Sequence, residues 1–132
     1  DAGRMNPFTV VVDGRPQGMT TFCDIDAENR RVEIGYTWLS RDVQRTEVNT
    51  TAKRLLLGHA FEACDAIAVE FRTSWHNRQS RAAIERLGAR QDGVLRNHRI
   101  GPGGTMRDTV VYSILPHEWP GVRMGLDARL VG

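Results

Sequence analysis

The hydrophobic period of this chain changes near residue 40 and changes back near residue 67. "RVEIGYTWL" alternates, with Val32, Ile34, Tyr36 and Trp38 on one face and Glu33, Gly35 and Thr37 on the other, as a strand with one buried side requires. After the polar loop from Ser40 to Thr46, Val48, Ala52, Leu55, Leu56, Ala60 and Ala63 recur at helical spacing. "IAVEF" then supplies a short apolar run suited to a buried strand. Strand and helix periods in one chain restrict the fold to a sheet with helices against it.

Turn residues divide the rest. "PFTVVVDGRPQGMTTFCDID" reads as two strands joined by a turn from Asp13 to Gly18, because β-branched and aromatic residues flank a Gly/Pro/Asp cluster. A second helix is expected from about Arg78 to Leu87, stopped by Gly88. "GVLRNHRI" and "RDTVVYSIL" flank "GPGGT", a hairpin with a glycine-rich tip, and the closing "PHEWPGVRMGLDARLVG" reads as a weak helix broken at Pro120 and Gly121. The order is β-β-β-α-β-α-β-β-α, an α/β (α+β) chain without internal repeats, and residues 1–132 read as a single domain.

Composition narrows the function classes. Lys+Arg 18 against Asp+Glu 16 leaves a formal charge of +2, and Lys53 is the only lysine. Arg81, Arg86, Arg90, Arg96, Arg99 and Arg107 surround the hairpin, but the near-neutral balance and the lack of an aromatic stacking surface argue against a nucleic-acid module. Cys23 and Cys64 fit no disulfide or zinc spacing and read as buried small hydrophobes. His59, His98 and His117 likewise lack ligand spacing, so no metal is expected. No run reaches the ~20 apolar residues of a membrane helix and no leader opens the chain, so a cytoplasmic setting is expected.

Two helices each begin after a strand and a polar loop, at Glu47 and at Arg78, which would place two sets of unsatisfied N–H groups where an anionic ligand can use them. More specific is the combination of "GYTWLSRDVQRTEVNTTAKRLLLGHAFE" with "HNRQSRAAIERLGARQDGVLRNH", "RDTVVYSIL" and the closing "EW". From about Pro7 to Trp119 the chain resembles the GNAT acyltransferase superfamily, in particular its ribosomal-protein-alanine N-acetyltransferase branch. The resemblance implies a mixed, mostly antiparallel sheet splayed between "VEIGYTWL" and "IAVEF", flanked by helices, without the usual opening strand and its two helices. It also implies an acetyl-coenzyme A dependent N-acetyltransferase acting on a primary amine, either a protein N-terminal α-amine or a small molecule. A non-catalytic acyl-coenzyme A binding module is the alternative.

By the same resemblance, the backbone of Gln44, Arg45, Thr46, Glu47, Val48 and Asn49 would wrap the pyrophosphate. Asn77 and Ser80, one turn apart on the second helix, would face the pantetheine arm and the thioester sulfur. The loop keeps the leading Gln of the family's Gln/Arg-x-x-Gly-x-Gly/Ala pattern and replaces both small residues. Where many members carry a Tyr seven positions after the Asn, this chain has Ile84, which passes thiolate protonation to Ser80 or a water.

Transfer from a thioester to an amine needs an uncharged amine, a donor to the carbonyl oxygen and a proton for the leaving sulfur. An α-amine titrates near ~7.7–8.0, so a weak base suffices. Glu33 is the candidate base because it lies on the strand beside the gap, and His76 is a second candidate. Backbone N–H groups of "GYTWL", including Trp38 and Leu39, would donate to the carbonyl, with Asn77 holding the coenzyme in register. An unpaired sheet edge at the start would allow pairing with a second copy, a homodimer.

Overall fold

The computed structural model describes residues 6–41 and 47–131, with the side chains of 36–39 and 131 left aside. The strands are β1 (Asn6–Val12), β2 (Arg15–Asp26), β3 (Arg31–Leu39), β4 (Ala68–Ser74), β5 (Arg90–Ile100) and β6 (Met106–Ile114). Helices α1 (Val48–Gly58), α2 (Arg78–Leu87) and α3 (Trp119–Val131) complete the chain. The strands form one sheet in the order β1-β2-β3-β4-β6-β5, antiparallel except for β3 and β4. A strand-helix-strand crossover through α1 makes that pair parallel.

All three helices cover one face. Phe22, Ile34, Val69, Phe71, Val110, Tyr112 and Ile114 point to that side and pack with Leu56 and Leu57 of α1, Ile84 of α2, and Trp119, Val122 and Leu126 of α3. Glu33 and Cys23 are register partners one residue out of phase with Ile34 and Phe22, so they belong to the opposite face. No helix among the described residues covers that face.

Local chemistry accounts for most element ends. Asp13 (φ 51°) and Gly14 (φ 79°) both occupy the left-handed region, so β1 and β2 are joined by a two-residue turn rather than the longer one expected up to Gly18. Gly88 stops α2 at φ 103°, as the sequence predicts. Pro120 does not break α3: it lies in the first turn, where its missing N–H costs no helical bond, and Gly121 continues the helix.

The stripe on the first helix departs from expectation. Leu55 is 66% exposed, whereas Leu56, Leu57, Ala60 and Phe61 are buried. The buried residues Lys53, Leu56, Leu57 and Ala60 keep regular α spacing, to which Leu55 does not belong; a π-helical turn over His59–Ala63 then follows α1, and Ala63, also expected on the stripe, is exposed. Cys64, just past this turn, is exposed, contrary to the expected burial, while Cys23 is buried. Lys53 is buried on α1, and burial pushes its ammonium down to about 8. No helix of the described residues is long and apolar enough to cross a membrane.

Candidate active site

The parallel seam is short. Strands β3 and β4 pair only at Arg31–Ala68, Val32–Val69 and Glu33–Glu70. Beyond that point β3 continues to Leu39 paired with β2, and β4 continues to Ser74 paired with β6. The two strands therefore diverge, and their inner edges have no ladder partner across the gap.

A bulge accompanies the divergence. Between the Thr21–Gly35 and Met19–Trp38 pairs, β2 spends one residue, Thr20, where β3 spends two, Tyr36 and Thr37. An extra residue bends and twists the strand that carries it, here the stretch of β3 bordering the gap. The last closed pair is clamped from the bare face: Glu70 accepts from Arg31 at 2.8 Å and from Arg72 at 3.3 Å.

A cavity of about 370 Å3 opens on that face across the seam. Glu33 and Gly35 of β3, Cys23 and Asp24 of β2, and Arg72 and Ser74 of β4 form its near side. The β5–β6 hairpin supplies the far side through His98, Arg99, Arg107 and Thr109.

Two further bulges aim side chains here. Asp24 (φ 48°) lies in the irregular stretch between the Cys23–Glu33 and Asp26–Arg31 pairs, and Asn97 (φ 49°) lies between the Leu95–Thr109 and Arg99–Arg107 pairs. Aspartate and asparagine are the non-glycine residues that tolerate the left-handed region best, which permits bulges at these points. The first turns Asp24 onto Glu33. The second sets His98 Nδ1 2.8 Å from Thr109 Oγ1, and the Asn97 N–H donates to Asp108 Oδ1 at 2.8 Å.

The electrostatics follow from this geometry. Burial and the hydrogen bond from the protonated Glu33 carboxyl to Asp24 push Glu33 up to about 7, opposed by Arg72. Cys23 is pushed up to about 12, first by burial and then by Glu33 and Asp24, so its thiol stays protonated and weakly nucleophilic. A carboxyl that changes charge near neutrality can take a proton from an α-amine.

The other expected site residues lie along the C-terminal edge of the parallel pair. Both crossover helices start there, α1 after β3 and α2 after β4. Asn77 is the N-cap of α2, and its Oδ1 accepts the Ser80 N–H at 3.0 Å. Glu47 caps α1 without a side-chain bond and is exposed, so its carboxylate is turned to solvent. Asn49 Oδ1, in the first turn of α1, is buried with no hydrogen-bond partner among the described residues. Val48 begins α1, and Trp38 and Leu39 end β3, the strand that borders the gap. Gln44, Arg45 and Thr46 lie outside the described residues. Ile84 is a core residue, 9% exposed.

The loop before α2 is braced. Arg81 stacks over Trp75 at 4.1 Å, donates to the Trp75 carbonyl at 3.2 Å and to Tyr112 Oη at 3.2 Å, and Tyr112 in turn donates to Glu85 at 2.6 Å. His76 is exposed in this loop, and the Ser74 hydroxyl accepts its backbone N–H at 3.4 Å. The sequence singles out Glu33, Asn77 and Ser80, and the structure adds Asp24, Arg99 and Arg107 to the lining of the cavity beside Glu33. The one usable signal for Asp24 was an acidic residue placed next to Cys23 at the end of an apolar run. No group of three His, Cys, Asp or Glu among the described residues is placed to hold a metal.

A mixed sheet with one parallel pair parted beyond its first residues, and helices starting at that opening, defines the class to which known proteins can be matched. The profile of the Acetyltransferase (GNAT) domain family matches residues 1–90, and the chain belongs to that family. It is 34% identical over 112 residues to the Bacillus subtilis (strain 168) protein named "Putative ribosomal N-acetyltransferase YdaF", covering 85% of this chain and 60% of that protein.

Among solved structures, a GCN5-related N-acetyltransferase from Brucella melitensis superposes with a TM-score of 0.87 at 30% identity, over 92% of this chain and 56% of that one. Mycobacterium smegmatis RimJ in complex with CoA-disulfide superposes with a TM-score of 0.82 at 28% identity, over 97% of this chain and 61% of that one. The chain thus spans about 60% of the length of these relatives.

Proposed function

We propose that the protein is an acetyl-coenzyme A dependent N-acetyltransferase whose acceptor is a primary amine, a protein N-terminal α-amine or a small molecule. The observation that carries this reading is the opening between β3 and β4 with Glu33 in the cavity beside it. The coenzyme suits the open edge: a pantetheine chain carries amide groups that pair with strand backbone, and Asn49 Oδ1 is a buried acceptor that lacks a donor. The names of two relatives, "Putative ribosomal N-acetyltransferase YdaF" and "RimJ in complex with CoA-disulfide", support a coenzyme A donor and N-acetyl transfer.

In the mechanism we assign, the N–H groups at the end of β3 donate to the thioester carbonyl. The amine nitrogen attacks the carbonyl carbon, the N–C bond forms and the C–S bond breaks. The Glu33 carboxylate takes the ammonium proton directly or through water, and Ser80 or a water returns a proton to the thiolate. The Asn77 amide holds the pantetheine arm, since the cap uses only its Oδ1. The exposed carboxylate of Glu47 leaves the start of α1 free of a charge aimed inward, and the amides from Gln44 to Asn49 are assigned to the pyrophosphate.

We place the enzyme in the cytoplasm, and β1, whose outer edge has no partner among the described residues, is the strand through which a homodimer would form. The test is a pair of measurements. Acetyl-coenzyme A at millimolar concentration should raise the melting temperature, and thiol release should depend on an added amine. Stabilisation without release over a broad amine panel would mark a binding module, and neither effect would refute both readings.

A further inference from the structure

The far side of the cavity carries chemistry that the acyl transfer leaves unused. Arg99 and Arg107 are direct cross-strand partners in the β5–β6 ladder, and both line the cavity. Like charges placed opposite each other in a ladder destabilise it. Neither arginine has an ion pair among the described residues, whereas Arg72 across the cavity is engaged with Glu70. Arg107 Nε is buried with no hydrogen-bond partner among the described residues. Asp108, the adjacent acid, already accepts from the Asn97 backbone.

Glycine at the hairpin tip makes room for this arrangement, because a Cβ on Gly101 would collide with the Arg107 side chain. Two forks of five donors each, set side by side on the wall of a cavity and left without an anion, match a carboxylate in shape and charge. The opposite wall, Glu33 and Asp24, suits an amine. A volume of about 370 Å3 is near the lower end of the roughly 300–1,000 Å3 of small-molecule sites and holds an amino acid or a short peptide end.

We propose that the acceptor is a primary amine that also carries a carboxylate, its nitrogen at Glu33 and its carboxylate between Arg99 and Arg107. This rests on the transferase reading of the same cavity and adds the class of acceptor to it. The carboxylate comes either from a free amino acid or from an acidic side chain next to a peptide N-terminus.

Calorimetric titration of the full chain decides it, with and without saturating coenzyme A, which cannot react. The probes are two matched pairs: L-alanine against alanine amide, and Ala-Glu-amide against Ala-Gln-amide. The charged member of at least one pair should bind at least tenfold more tightly, and Arg107→Gln and Arg99→Gln should each reduce it to the level of its neutral partner. The first pair reports a free amino acid and the second an acidic peptide end.

Equal affinities within both pairs, no binding of any probe, or a preference retained in both variants would overturn the proposal. Melting curves check the variants, and Arg99, which is exposed, carries the test should Arg107→Gln unfold. Loss of coenzyme A binding in the wild type would instead strike the transferase reading, and the titrations without coenzyme would still report the charge preference.

Discussion

Asn77 Oδ1 accepts the Ser80 backbone N–H at 3.0 Å, so the two residues are N-cap and third helical position of α2. This spacing serves the helix before it serves a ligand. Asn77→Ala should cost about 1 kcal/mol of stability, and Asn77→Asp should restore most of it. Asp keeps the capping oxygen but offers no N–H donor to a pantetheine amide. Coenzyme affinity should therefore fall in both variants while only the alanine variant melts early. Recovery of affinity in Asn77→Asp would exclude the holding role.

Glu33 predicts a pH dependence of stability. Its folded-state value, about 7, is above the unfolded carboxylate value, so the fold prefers the protonated form. The stability it contributes is fully present below about pH 4.5 and is lost as pH rises through 7. Glu33→Gln, neutral throughout, should stabilise the protein at pH 8 by roughly 1–2 kcal/mol after allowance for partial exposure, and by almost nothing near pH 4. Urea unfolding at the two pH values checks this, and kcat/KM of the variant should drop by at least tenfold.

In the proposed mechanism, Asp24 would position the Glu33 carboxyl. Asp24→Asn keeps a residue suited to the left-handed bulge and removes the charge that holds the Glu33 proton. The titration of Glu33, followed by carboxyl carbon NMR, should move down, and the acid limb of the kcat/KM profile should move with it. An unchanged Glu33 titration would mean that Asp24 does not hold the Glu33 proton.

Gly35 leaves room beside the Glu33 carboxyl. A Cβ there would stand 3.1 Å from Cys23 Sγ and 3.3 Å from Glu33 Oε2. Gly35→Ala should displace the Glu33 carboxyl and lower kcat several-fold with coenzyme affinity unchanged. Pairing it with Cys23→Ala, which frees space on one side, should recover part of the loss. No recovery would place the strain on the Glu33 side alone.

Local pattern alone established the element order of the described residues, the alternating face of β3 that puts Glu33 opposite Ile34, the glycine stop of α2 and the start of that helix at Asn77. Each depends on neighbours a few residues apart, where period, cap and turn chemistry act. Helix faces were less legible: Leu55 fits the apolar stripe by spacing, yet the buried stripe runs through Lys53, Leu56, Leu57 and Ala60 and leaves Leu55 in solvent.

Only the tertiary structure decided where the sheet opens and what surrounds Glu33. The bulges at Asp24, at Tyr36–Thr37 and at Asn97, the three-residue seam between β3 and β4, and the Arg99–Arg107 pairing are all matters of register between strands. Register is fixed by whole ladders and by the helices packed on one face, and a single-residue shift moves a side chain from core to cavity. A linear pattern carries the alternation of each strand but not the offset between two of them, and the site is built from those offsets.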